Sequence, residues 1–234
     1  MSASSQSLSA GFERARFNMI EQQVRPWDVL DPRVLDLLAR VPREAFVPPA
    51  HVALAFADLE LPLGATPDQV MLAPRLQARL VQDLQLQPDD RVLEIGTGSG
   101  YTAALMAHLA RQVLTLEIDP TLAQAARTRL QALGLGERVS VRCADACAQD
   151  LAACRTEAPW NAILIGGSVA EVPAALLELL APGGRLIAVT GHEPIMRATL
   201  FTRMGEASVF QTRQPWDTLA PRLRHFPEPS RFRF

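Results

Sequence analysis

The apolar positions of this chain change period twice. From Glu13 to Arg25 the spacing of Phe17, Ile20 and Val24 predicts an amphipathic helix, closed by Pro26. Asp31-Pro32 supplies a cap and a first-turn proline for a second helix. Its buried side carries Val34, Leu35, Leu37 and Leu38, and it ends before Pro42. Between residues 45 and 75 the prolines at 48, 49, 62, 67 and 74 break any regular period. That stretch has room for a short helix near 50–55, and a longer helix resumes from about Arg75 to Leu84.

From Asp90 the pattern alternates. Strand-like apolar runs at 91–95, 113–118, 139–143, 162–165 and 186–190 enclose helix-like stretches at 102–110, 122–133 and 172–180. Such alternation predicts βαβ units and an α/β fold with a mostly parallel sheet flanked by helices. Two last runs, 199–203 and 208–213, predict an antiparallel pair that closes the sheet around Gly205. The organisation expected is a disordered leader (1–12), a helical N-terminal region (13–86), an α/β nucleotide-type domain (87–213) and an Arg-rich tail (214–234).

Composition narrows the chemistry. The 234 residues carry 23 basic and 25 acidic side chains, and every basic one is Arg. Without lysine there is no Schiff-base catalysis, no Walker P-loop and no kinase lysine. A net charge of -2 argues against nucleic acid as a main partner. Cys143, Cys147 and Cys154 fit neither a CxxC pair nor a zinc site. Their odd number and the Ser-rich start, which lacks a targeting pattern, imply a reducing cytoplasm. No apolar stretch reaches membrane-spanning length, and no metal is expected. The tail places Arg222, Arg224, Arg231 and Arg233 against one acid, Glu228, and reads as a solvated end; the alternative is a docking segment for an acidic partner.

One loop carries most of the information. In Val92-Leu93-Glu94-Ile95-Gly96-Thr97-Gly98-Ser99-Gly100-Tyr101 a strand feeds a glycine-rich turn that opens a helix. The dinucleotide fingerprint is G-x-G-x-x-G, whereas the spacing here is G-x-G-x-G, with Glu94 two residues before the first glycine. A carboxylate there suits a ligand ammonium group better than a pyrophosphate. S-adenosylmethionine carries that group and no phosphate. Glu117, about 20 residues after Gly96, ends the next strand and can accept from both ribose hydroxyls. Asp145, past the third strand, is placed for an adenine amino group, with the Ala146 N–H beside it. The cofactor contacts expected are Glu94, Gly96, Thr97, Gly98, Ser99, Gly100, Glu117, Ile118, Asp145 and Ala146.

With these residues in view, the chain resembles a Rossmann-like class I methyltransferase. More specifically, it resembles the protein-L-isoaspartate O-methyltransferase family over roughly residues 14 to 191. Val41-Pro42-Arg43-Glu44-Ala45-Phe46-Val47-Pro48 upstream of the glycine loop is the most particular piece. Pro173 and Leu180-Ala181-Pro182-Gly183-Gly184-Arg185-Leu186 extend the likeness. The resemblance implies methyl transfer from S-adenosylmethionine to the free α-carboxylate of isoaspartyl residues in damaged protein. The ester then collapses to a succinimide, which reopens partly to aspartate. A carboxylate is ionised at neutral pH, so its attack on a sulfonium methyl needs alignment and partial dehydration, not a base.

The chain departs from the family in one loop. Val70 and Leu72 stand where the family has Thr and Ser, so Leu72 holds the place of the hydroxyl held to contact the acceptor; Gln77 stands where the family often has a His. Losing such a hydroxyl costs about 1.5–3 kcal/mol. Three readings follow: an isoaspartyl methyltransferase, a divergent enzyme acting on another carboxylate or small-molecule acceptor, and a non-catalytic cofactor-binding protein. Other residues are weighed more simply. His51, His108, His192 and His225 are scattered and read as structural; Tyr101 packs rather than reacts. Trp160 anchors the edge of the fourth strand, and Gly166-Gly167-Ser168 forms the acceptor rim or a turn. Arg16 and Arg25 read as surface residues, with acceptor binding the alternative.

Overall fold

The computed structural model describes residues 3–149 and 151–228. Helix α1 spans Ala3–Met19, so it runs through the stretch expected to be a leader. No proline interrupts that stretch. Phe12 and Ala15 pack against the core, and a helix anchored at one end propagates back from its anchor. A widened turn over Ile20–Val24 and a tight one over Arg25–Trp27 follow. The widened turn resets the phase. Met19, Ile20 and Val24 are buried, while Phe17, expected on the same face, is 62% exposed. Helix α2 (Pro32–Arg40) begins as expected, with the Asp31 carboxylate accepting from Arg33 N and all four named apolar residues buried. A short two-turn 3-10 helix occupies Pro49–Leu54, and helix α3 spans Pro74–Asp83.

Between them a two-residue pair, β1 (Leu61–Pro62) and β2 (Val70–Met71), closes a hairpin. The main sheet holds β3 (Arg91–Ile95), β4 (Gln112–Glu117), β5 (Val139–Cys143), β6 (Trp160–Val169), β7 (Leu180–His192), β8 (Ile195–Arg203) and β9 (Phe210–Asp217). Their order is β5-β4-β3-β6-β7-β8-β9; β3 to β7 pair in parallel, and β7-β8-β9 run antiparallel. The chain leaves β3 towards β4 and later returns on its other side at β6. That reversal opens a crevice at the carboxyl ends of these strands, where open α/β sheets bind ligands.

The crossovers are uneven. Helices α4 (Tyr101–Leu109) and α5 (Pro120–Ala132) are full length. By contrast α6 (Ala152–Arg155) and α7 (Ala174–Leu177) are single turns, shorter than the pattern at 172–180 predicts. Leu179 and Leu180 are already bound to the sheet. Trp160 N donates to Leu179 O at 2.8 Å, and Trp160 pairs in register with Leu180. Trp160 is buried at the start of β6, its indole N–H donating to Cys154 O.

Alternate residues of the strands feed two cores. Val92, Val113, Val141, Leu164 and Val189 face one side, against α4, α5 and the N-terminal helices. Leu93, Leu114, Ile163, Ile165 and Ala188 face the other, against α6, α7 and Phe226. The N-terminal region therefore shares a continuous core with the α/β layers. The tail differs from its expected solvated state. After β9 the chain turns back across the carboxyl ends of the strands, with Ala220 and Phe226 buried. Arg222 and Arg224 both lie in this strap and both have acidic partners; Arg231 and Arg233 lie outside the described residues.

Candidate functional site

The glycine loop leaves β3 with Gly96, Gly98 and Gly100 at φ of +92°, +52° and +89°. Glycine alone enters this region without steric cost, so the sequence permits a turn that other residues would strain. Gly96 N and Thr97 N both donate to Leu116 O, pinning the turn to β4. A Cβ at Gly98 would stand 3.3 Å from Leu63 Cδ1, so the loop passes close beneath the β1–β2 hairpin.

Glu117 ends β4 facing this turn. Its Oε2 accepts from Gly98 N at 2.8 Å and its Oε1 from Asp119 N at 3.1 Å. The carboxylate is thus fixed by two backbone donors, with lone pairs left over. Asp119 caps α5 by accepting from Thr121 N and Leu122 N, and it also takes the Gln69 side chain at 2.8 Å. Asp145, after β5, accepts from Cys147 N at 2.9 Å on Oδ1 and pairs with His225 Nδ1 at 2.6 Å on Oδ2. Burial pushes its pKa up, but the His225 and Cys147 hydrogen bonds outweigh that and hold it below the usual range.

One cleft gathers most of the predicted residues. Gly96, Gly98, Glu117, Ile118, Asp145 and Ala146 line it, and so does Leu72. Glu94 does not. It sits beneath the loop, where Thr115 donates to its Oε2 at 2.5 Å, and burial pushes its pKa up to about 8. Thr97, Ser99 and Gly100 are likewise absent from the lining. Thr97 bonds the Thr115 hydroxyl at 2.6 Å, Ser99 Oγ takes the Tyr101 N–H, and Gly100 caps α4. These three shape the loop from within.

The loop that carries Leu72 is held by an unusual cation. Arg43 is fully buried, yet among the described residues it forms no ion pair with a carboxylate. Its Nε donates to Ala55 O at 2.8 Å, its Nη2 to Leu72 O at 2.8 Å, and its Nη1 to Gln77 Oε1. Gln77 passes the chain on to the Thr102 hydroxyl at 2.8 Å. The guanidinium also lies 5.0 Å from the centroid of Tyr101, itself edge-on to Phe46. Burial lowers the Arg43 pKa to about 10, which still leaves it charged at neutral pH. Arg43 thus fixes the backbone at Leu72, while Tyr101 packs and stays off the cleft lining.

Several alternatives fall away. Arg16 is bound to Glu44 at 2.6 Å, and Arg25 to Glu21 at 2.8 Å; neither lines the cleft. His225 does not line the cleft but pairs with Asp145, which does. Sequence reasoning missed the hairpin residues Leu63 and Asp68 and the strap residues Pro221, Arg222, Leu223, Arg224 and Phe226, which line the cleft. Leu223 and Phe226, apolar residues in an otherwise basic tail, were the available signal.

The model of the protein-L-isoaspartate(D-aspartate) O-methyltransferase family matches residues 15–215. The chain belongs to this family. A protein-L-isoaspartate O-methyltransferase of Methylorubrum populi is 39% identical over 193 residues, 82% of this chain and 87% of the relative. A second relative of that name, from Syntrophobacter fumaroxidans, is 40% identical over 180 residues, 77% of this chain and 81% of its own. Among solved structures, a protein-L-isoaspartate O-methyltransferase superposes with a TM-score of 0.71 at 23% identity, over 88% of this chain and 64% of that one. A Plasmodium falciparum structure bearing the family name, in complex with S-adenosyl-L-homocysteine, gives 0.70 at 18% identity over 90% of this chain and 98% of that one. These two likenesses establish the class I methyltransferase fold, and the family match extends the likeness beyond residue 191, through most of β9.

Proposed function

We propose that this chain methylates the free α-carboxylate of L-isoaspartyl residues in damaged protein, with S-adenosylmethionine as donor. The observation that carries this is the convergence of the glycine loop, Glu117 and Asp145 on one cleft, in a chain of this family. The residues fit the donor. Glu117 has lone pairs free for the ribose hydroxyls, and Asp145 with the Ala146 N–H suits an adenine edge. The positive-φ backbone at Gly96 and Gly98 lets a ligand approach without meeting a Cβ. Ile118 and Leu122 supply apolar walls.

When bound, S-adenosylmethionine supplies a sulfonium methyl; an O–C bond to the acceptor forms as the S–C bond breaks, leaving S-adenosylhomocysteine. The protein's part is to orient and to exclude water. Leu72, held at its carbonyl by Arg43, and Val70 beside it place apolar surface at the cleft. That surface strips water from an incoming carboxylate without offering it a hydroxyl. The N-terminal region, on this reading, is the cap over the acceptor.

A labelled-cofactor assay on paired peptides tests the proposal. An isoaspartyl peptide is expected to gain a methyl ester, and its aspartyl twin to gain none. Equal labelling of both, or none, would overturn it. The absent hydroxyl favours a second reading, a more apolar carboxylate acceptor. Leu72→Ser then decides: a roughly ten- to hundred-fold gain on the isoaspartyl peptide supports the first reading, and no gain supports the second.

A cytoplasmic setting belongs to the same proposal, and the three free cysteines suit a reducing compartment. Among the described residues no helix is long and apolar enough to cross a membrane.

A further inference from the structure

The family model stops matching at residue 215, and the strap that crosses the cleft lies wholly beyond it. Four observations show that this strap is seated rather than draped. It bonds to β6 through backbone on both sides of Arg222, where Ser168 N donates to Pro221 O at 2.7 Å and Leu223 N to Ser168 O at 2.9 Å. It fills space that the sequence leaves open for it. A Cβ at Gly167 would lie 2.8 Å from Leu223 Cδ2 and 2.8 Å from Pro221 O, so no side chain fits there while the strap is down. Its far end is anchored by Phe226 in the second core. Its polar residues reach the two rims of the cleft. Arg224 Nε pairs with Asp68 Oδ2 at 2.9 Å and its Nη2 donates to Thr66 Oγ1 at 3.0 Å, both on the hairpin loop. His225 Nδ1 meets Asp145 Oδ2 at 2.6 Å.

We infer that Arg224 and His225 are positioning residues for the cofactor, and that the strap is the wall that closes its site. Arg224 holds down the hairpin loop, whose Asp68, Gln69 and Val70 line the cleft. His225 and Cys147 N take one oxygen each of Asp145, so the carboxylate plane is fixed and its remaining lone pairs face the ligand. The Arg224–Asp68 pair is more than a third exposed on both sides, and such pairs are worth little alone. That weakness suits a wall that must lift to admit and release a ligand of nucleoside size. The inference rests on the reading that the cleft takes S-adenosylmethionine.

Calorimetry with S-adenosylmethionine on the full chain tests it, alongside cofactor KM and kcat on an isoaspartyl peptide. Arg224→Ala and His225→Ala are each expected to raise the cofactor Kd about five- to tenfold, with KM rising more than kcat falls and melting temperature unchanged. The swap Asp68→Arg with Arg224→Asp should recover most of the affinity lost in either single change. His225→Gln, which keeps a donor, should bind better than His225→Ala. Gly167→Ala, which blocks the seat of Leu223 without removing a polar group, should weaken binding in the same way. If the wild type binds and all of these variants bind within twofold of it, the strap is a passive tail and the inference fails alone. If the wild type binds no S-adenosylmethionine, the functional reading and the inference fall together.

Discussion

Glu94 and Glu117 lie on adjacent strands below one loop, yet their surroundings give them opposite work. Glu117 faces the cleft with two backbone donors. Glu94 points under the loop into a buried pocket with a single hydroxyl partner, and burial raises its pKa to about 8. At neutral pH it is mostly protonated. The linkage has a definite sign. The folded state holds this proton more tightly than the unfolded chain, whose carboxyl titrates near its ordinary value. Stability from this group therefore falls as pH rises from about 4.5 to about 8, then levels off. Glu94→Gln keeps an acceptor for Thr115 and cannot ionise, so its stability should lose that downward slope. Urea unfolding at several pH values measures this, and parallel curves for the two proteins would show that Glu94 is ionised throughout. The sequence motif identified Glu94 as a key residue but not its orientation. Facing the ammonium of a ligand and lying beneath the loop are one position apart in a strand, and only the sheet register separates them.

At the scale of elements, the stretch from residue 55 to α3 contains only the two-residue strands β1 and β2 before the helix begins, and one buried side chain ties it together. Arg43 supplies three contacts to it from a distance: Ala55 O, Leu72 O and Gln77. Arg43→Ala would leave those acceptors buried and unpaired, at about 1–3 kcal/mol for each that water cannot reach. A loss of at least about 3 kcal/mol in denaturant unfolding is expected, and Arg43→Lys should recover only part of it, because an ammonium cannot span the three sites. A loss under about 1 kcal/mol for Arg43→Ala would mean that the segment holds without it. The sequence showed Arg43 as part of a family motif and Leu72 as a departure. That the first holds the second was hidden, because the two lie far apart in the chain and meet only through the fold.

Over the whole molecule, the N-terminal region and the α/β layers are joined through one core, not merely by a linker. Trp27 packs edge-on to Trp216 of β9 with centroids 5.9 Å apart, and the Trp216 indole donates to Asp83 of α3 at 2.7 Å. Arg185 of β7 ties the same seam by donating to Leu84 O at 2.9 Å and pairing with Asp90 at 2.7 Å. A shared core makes unfolding cooperative. Tryptophan fluorescence and far-ultraviolet circular dichroism should therefore give one coincident transition, and two separated transitions would show that the regions fold apart.

The amino-acid sequence by itself determined the local things. The helix start at Asp31, the strand runs, the glycine turn and the acids at strand ends all follow from short-range sterics and hydrogen bonding, which neighbouring residues specify. The tertiary structure alone decided which of those groups share a cleft, which acid turns away from it, and that a basic tail folds back as a wall. Those outcomes depend on register and on contacts between distant segments. Their free energy comes from packing that no local pattern encodes.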